Sequence, residues 1–383
     1  MPRLAAGRPL SRAVPVDAAR LDLHRVHLQL RRPHVTAHGT ETVRDVILAS
    51  WTDADGVTGW GECPTLSTFG YANEITDTAW RFLCDVVGPG FERGGALPEV
   101  DGAHMAMAAV RDAVLDARLR RAGRPLRDEV CAAHDGALEE LDTSAPVEMP
   151  WRWVIGLDDE LPAGAGRLKV KVTPEHLGRL RTWREQHPDI DLAADANGSF
   201  AAAGDVPDWI DELGLAYLEQ PLPPADLAGL AALRGRVRTD IALDESIVDR
   251  RSLHRAIDLG AVDVVSLKPA RVGGVERAIE LAEIALDAEL GAFVGGMLET
   301  GIGRAAALGL TWHPVVADGP FGFDLGPSDQ YFDRDVTEPI ARVIRPDGDA
   351  AVVLPEGPGI GREPLPDRLA ECTVDRATFA ATG

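Results

Sequence analysis

Lysine is almost missing from this chain of 383 residues. Of its 39 basic residues, 36 are arginine, and lysine stands only at Lys169, Lys171 and Lys268. Basic charge as a whole is in deficit, because 61 acidic residues leave a formal net charge of -22. That balance argues against a nucleic-acid surface and against a polybasic membrane contact. Cysteine is sparse too. Cys63, Cys84, Cys131 and Cys372 lie far apart, with no C-x-x-C pair. They read as reduced thiols of a cytoplasmic protein, not as a disulfide frame or a zinc site. No run of about 18 apolar residues occurs, so no membrane-spanning helix is expected. Residues 1–20 are basic but lack the apolar stretch of a signal peptide, and read as a disordered leader.

What is present is an ordinary globular composition, 45% hydrophobic and 26% charged, long enough for one large and one smaller domain. From about 150 to 330, within a barrel domain set at 146–340, the chain repeats a phrase: a short aliphatic run, a polar residue, a helical stretch. The runs are "WRWVIG", "RLKVKV", "IDLAADANG", "LAYLEQPL", "IALDESI", "VDVVSLKPA", "GAFVGGMLE" and "FGFDLG". Strands alternating with helices predict a parallel sheet, and eight runs predict closure into a barrel. Residues 21–145 read differently, as a β-meander ("LDLHRVHLQL", "VRDVILASW", "TGWGEC") followed by helices, an α+β domain capping the barrel. The tail, 341–383, is expected to pack back on that domain. The fold class is therefore α/β, a modified TIM barrel of (β/α)7β type with an N-terminal α+β cap completed by the C-terminal tail. Only eleven residues, 157–167, separate the first two runs, which is barely enough for a crossover. At most a turn or two of helix is expected there, leaving a thin wall for a neighbouring subunit or the leader to cover.

Lys171, Asp195, Glu219, Asp244 and Lys268 are spaced by 24, 24, 25 and 24 residues, about one βα unit each. That period puts all five at one level, at the carboxyl ends of strands two to six, where such barrels carry their sites. Charges gathered inside a barrel rim are costly unless paired or bound to metal. Asp195, Glu219 and Asp244 offer three hard oxygen ligands, suited to Mg²⁺ with Mn²⁺ as a substitute. Lys169 and Lys171 are two apart on one strand and share its inner face, while Lys268 comes from across the ring. Lysine, unlike arginine, can lose a proton, and it can place a compact charge against a reacting centre. Metal and lysines together suit removal of a proton α to a carboxylate.

These residues resemble the enolase superfamily, for which a lysine base with Mg²⁺ bearing the ene-diolate charge is established. The muconate-lactonizing subgroup is matched by "KVK", "DANGS", "EQPL", "DES" and "LKPARVGG", with "GWGEC" in the cap. "GGMLETGIGRAAALGL", "SDQYFDRDVTEPI" and Arg271 are most similar to the branch of o-succinylbenzoate synthases and N-succinylamino acid racemases. The resemblance covers about residues 21–370. It implies Asp195, Glu219 and Asp244 as Mg²⁺ ligands and Lys171 as base. Lys268 would stabilise the enediolate in a synthase or act as second acid/base in a racemase. Lys169 would tune Lys171 and approach the substrate carboxylate. Asn197, Glu245, Arg271, Gly296, Met297 and Glu299 would surround the ligands or the substrate, although Asn197 fits equally as a turn residue.

The implied activity is Mg²⁺-dependent o-succinylbenzoate synthesis, a dehydration in menaquinone biosynthesis. The alternative is racemisation of N-succinylamino acids at the same site, and a non-catalytic scaffold of this fold is the remote one. The partner is a small carboxylate substrate, and the reading is compatible with a homo-oligomer. The loop "PHVTAHGT" resembles a mobile loop closing on substrate. Departures from the branch are His38 in that loop, Val154 on the first strand and the short first crossover. "FDLGPSD", with Leu325 and Gly326 after Asp324, lacks the Asp-x-Asp of the dipeptide epimerases.

Overall fold

A computed structural model describes residues 18–36, 39–94, 97, 100, 102–132, 146–156, 158–346 and 348–381. Strands Ala18–Thr36, Gly39–Asp53 and Thr58–Cys63 form the expected antiparallel meander. Its buried face presents Leu21, Leu23, Ile47, Ala49 and Trp51 to helix His104–Arg121, which answers with methionines and small alanines. The helix can lie against the strand because that strand reads Gly59-Trp60-Gly61. A Cβ on Gly59 would fall 2.1 Å from the Ala117 nitrogen, and one on Gly61 would fall 2.1 Å from the Ala109 carbonyl oxygen. Asp116 of the helix fixes the contact by accepting from the Trp60 amide at 2.8 Å.

Seven parallel strands make the barrel wall: Trp153–Gly156, Arg167–Lys171, Asp191–Asp195, Leu218–Glu219, Ile241–Leu243, Val264–Leu267 and Gly291–Val294. "FGFDLG" supplies the eighth stave. Asp324 donates its amide to the Val294 carbonyl at 3.0 Å, and the Arg152 amide donates to the Phe323 carbonyl at 2.8 Å, closing the ring. Leu168, Leu192, Leu218 and Leu243 are fully buried. Each such side chain contributes about 2 kcal/mol of apolar burial.

Hydrogen-bond register refines the expected single level. Lys171, Asp195 and Glu219 are direct partners across three strands. Glu219 then pairs with Ala242, so Asp244 lies two residues further along its strand. Leu243 pairs with Val265, which puts Lys268 two further again. Every step is even, so all five side chains keep the inner face. A drift of four residues over four strands matches the shear of a TIM barrel, where tilted strands put register partners at different heights. The drift is therefore what brings the five to one height at the rim.

Three expectations change. Residues 158–166 carry turns and no helix, and a hairpin of the tail lies against them. Strands Arg342–Ile344 and Ala350–Val353 form a hairpin that pairs with Glu148–Pro150, and the Ala350 amide donates to the Gly164 carbonyl at 2.9 Å. Residues 342–353 of the tail thus pack beside the amino ends of the first two barrel strands. Only Thr373–Ala380 joins the capping sheet, pairing with the first strand. That first strand already begins at Ala18, within the expected leader. In the expected closing loop, Val35 pairs with Thr40 and Thr36 with Gly39, so the backbone on either side is a strand hairpin. His38 lies outside the described residues. None of the described helices is long and apolar enough to cross a membrane.

Candidate active site

Each carboxylate of the rim meets a cation. Lys171 Nζ lies 2.5 Å from Asp195 Oδ2, Lys169 Nζ lies 2.7 Å from Glu219 Oε2, and Lys268 Nζ lies 2.9 Å from Asp244 Oδ2. The three lysines differ in surroundings. Lys169 is buried, clamped between Glu219 and Asp324, with Phe293 beneath its ammonium at 5.0 Å. Burial works against its charge, but Asp324 and Glu219 outweigh burial and hold its pKa well above the ordinary lysine value. Lys268 is buried as well, and burial is again outweighed, here by Tyr71, Glu219, Asp324 and Glu245, so its pKa is raised. Lys171 is different: its side chain is 44% exposed, facing the barrel mouth.

Local structure positions these groups. Asn197 and Gln220 follow the third and fourth strands in left-handed backbone, with φ of 44° and 38°. Such conformations persist only where the surroundings hold them, and they gather at functional sites. Asn197 accepts from Lys171 Nζ at 2.7 Å and donates to Glu245 Oε1 at 3.0 Å, linking base and carboxylate. Gln220 Oε1 accepts from the amides of Asp244 and Ser246, both at 3.1 Å, and so pins the end of the fifth strand. Arg271 pairs with Asp244 and donates to the Tyr71 hydroxyl at 3.1 Å. Val154 pairs in register with Lys169 and so shares its inner face.

Three contributors were not foreseen from sequence. Tyr71, from the cap, places its hydroxyl 3.1 Å from both Lys268 Nζ and Asp244 Oδ2. Asp324 anchors Lys169 and accepts from the Gly296 amide at 2.9 Å. Its place after the eighth run was a usable signal, whereas Tyr71 lies in a loop of the other domain and gave none. Gln220 was readable only as part of "EQPL". Conversely, Met297 and Glu299 are not brought to the rim contacts. Met297 packs into the apolar core of the cap, and Glu299 accepts from the Met297 amide at 2.8 Å and pairs with Arg304. Both serve the junction between domains. There the buried Arg44 donates to the Met297 carbonyl at 3.1 Å, and Glu62 accepts from the amides of Thr300 and Gly303 at 3.0 and 2.8 Å.

With each carboxylate turned to its own cation, no three acidic, His or Cys side chains among the described residues form a finished metal cage. The donors nevertheless fit a hard divalent ion. Oε1 of Glu219 and Oε2 of Glu245 are buried with neither a hydrogen-bond nor an ion-pair partner among the described residues. Burial, and next the charge of Asp195, raises the pKa of Glu219 and of Glu245. Two buried carboxylate oxygens thus lack a partner, and carboxylate oxygens are the donors Mg²⁺ prefers. Asp195, Glu219 and Asp244 would hold the ion.

Comparison with known proteins bears on the family and the fold. The family model described as "Enolase C-terminal domain-like" matches residues 158–368. An N-succinylamino acid racemase from an Amycolatopsis species is 33% identical over 378 residues, 92% of this chain and 97% of that protein. An o-succinylbenzoate synthase from Geobacillus kaustophilus is 31% identical over 357 residues, 88% and 91% of the two chains. Among solved structures, a probable mandelate racemase from Alicyclobacillus acidocaldarius superposes with a TM-score of 0.81 at 31% identity, covering 95% of this chain and 99% of that one.

Proposed function

The chain belongs to the enolase superfamily, and from that premise we propose that it takes the α-proton from a small carboxylate and acts as an o-succinylbenzoate synthase. The observation that carries the reading is the arc of Asp195, Glu219 and Asp244 with a lysine at each end. Lys171 pairs with the first carboxylate and Lys268 with the last. Lys171 is the lysine open to the barrel mouth. Its Nζ takes the α-proton, and Asn197 Oδ1 orients that nitrogen. The same nitrogen then gives the proton to the leaving hydroxyl, which departs as water. Lys268, buried and positively charged, faces the enediolate's charge. Lys169 is clamped between Asp324 and Glu219, which favour its charged form, and serves as a fixed cation beside the base. A divalent ion, which Asp195, Glu219 and Asp244 would hold, would supply Lewis-acid neutralisation of the charge that develops on the substrate carboxylate.

A second reading, racemisation of N-succinylamino acids, is supported by the same two lysines at opposite ends of the arc and by the racemase among the relatives. There Lys171 and Lys268 would remove and return the proton on opposite faces. The test offers the purified protein Mg²⁺ with the synthase's hydroxycyclohexadiene carboxylate and, separately, with a panel of N-succinylamino acids. Aromatic product from the first supports the synthase. Turnover of the second set alone transfers the assignment to the racemase, and inactivity toward both removes the two readings.

A further inference from the structure

Outside the barrel mouth, helix His104–Arg121 of the cap and the barrel helices Arg250–Asp258 and Val275–Asp287 enclose a cleft of about 560 Å³. Arg111, Arg250, Arg251, His254, Arg255 and Arg277 line it. In a chain of net charge -22 this concentration of positive charge runs against the average surface. Several exposed arginines elsewhere meet acids, as Arg179 meets Asp158, Arg181 meets Glu212 and Arg234 meets Asp263. Arg251 and Arg255, one helical turn apart on one face, are exposed and have no ion pair among the described residues. Among the described lining residues, Arg111, Arg250, Arg251, Arg255 and Arg277 stand against Asp249, Asp258 and Glu280, and Glu280 pairs with Arg250 at 2.9 Å.

We propose that this cleft binds a small polyanion bearing phosphate or carboxylate groups. Its volume is that of a metabolite site. Guanidiniums recognise both groups with paired, charge-assisted hydrogen bonds. The site also touches the catalytic segment. Val272 lines it, and Arg111 Nη1 donates at 3.2 Å to the carbonyl of Gly273, just past Lys268 and Arg271.

The test is calorimetric titration of the full chain, with Mg²⁺ in excess and at low ionic strength. Fructose 1,6-bisphosphate serves as the phosphate probe and tricarballylate as the carboxylate probe. At least one should saturate a single site per chain with a Kd below about 1 mM, and binding should weaken as salt is added. The double variant Arg251→Ala/Arg255→Ala should lose at least about tenfold in affinity, since each guanidinium contributes charge-assisted bonds. Both side chains are exposed, so turnover and Tm should match the parent protein. Saturation by one probe alone names the recognised group, and saturation by both supports the shared chemistry. Failure of both to saturate by about 10 mM, or binding undiminished in the double variant, overturns the proposal.

Discussion

Replacing Lys171 by arginine separates charge from proton transfer. The guanidinium keeps the positive partner that the buried Asp195 needs, so the ion pair at 2.5 Å survives in kind. The Lys171 side chain is 44% exposed, and exchanging one cation for another at so open a position should change stability by less than about 1 kcal/mol. An arginine, however, cannot be deprotonated in a protein. If Lys171 is the base, the variant loses general-base catalysis outright, a loss of about 100- to 10,000-fold in turnover. Metal affinity, Tm and circular dichroism should stay close to the parent values. The assay is steady-state turnover with saturating Mg²⁺, paired with exchange of the substrate α-proton for solvent deuterium. Turnover within about tenfold of the parent, or undiminished exchange, would refute the assignment of the base.

Lys268→Ala should lower turnover about 100- to 1,000-fold by removing a cation from the developing oxyanion. A racemase should still exchange the α-proton of one enantiomer through Lys171, and deuterium incorporation measured on each enantiomer checks it. Excess chelator should abolish activity, and Mg²⁺ or Mn²⁺ should restore it. Full turnover in metal-free protein would remove the carboxylate triad from the mechanism. Asp112, buried where it accepts from the Val275 amide at 2.8 Å, has its pKa pushed from 3.8 up to about 7, mainly by burial. The folded state therefore holds a proton that the unfolded state releases above about pH 4, and the stability this gives is lost as pH rises through about 7. That difference corresponds to at most about 4 kcal/mol. Asp112→Asn keeps the acceptor without the titration, so it should stabilise at pH 8 but not at pH 4, as read by urea unfolding at both.

Fold and site differed in how far residue order could reveal them. The period of about 24 residues is a property of βα units, so it placed Lys171, Asp195, Glu219, Asp244 and Lys268 at strand ends without knowledge of pairing. Register was hidden, because spacing along the chain does not name a partner across it. The two-residue shifts at Asp244 and Lys268 come from barrel tilt, a property of closure rather than of any segment. Tyr71 was illegible for a related reason, since it reaches the site across a domain boundary from an aperiodic loop. Met297 misled in the opposite direction. It lies beside "GG" after the seventh strand, where a substrate contact was expected, yet the apolar core of the cap claims its side chain. The tail's Pro and Gly marked turns but gave no partner for the hairpin at 342–353, which covers a crossover too short for a helix.

The scarcity of lysine has two causes at this rim, and the structure separates them. Lys169 and Lys268 are buried and kept charged by carboxylates, so a removable proton does not explain their identity in a synthase. Space does. Lys169 must fit one nitrogen between Glu219 and Asp324 above Phe293. The stem of Lys268 passes Gly295 so closely that a Cβ there would fall 2.7 Å from its Cε. A planar guanidinium with five donors would need partners in directions where these pockets offer a ring or a backbone. Lys171 has no such confinement, being open to the mouth with Asp195 and Asn197 on one side. An arginine would fit there, as it does at most exposed positions of this chain. What lysine has at that place, and arginine lacks, is a proton that can leave.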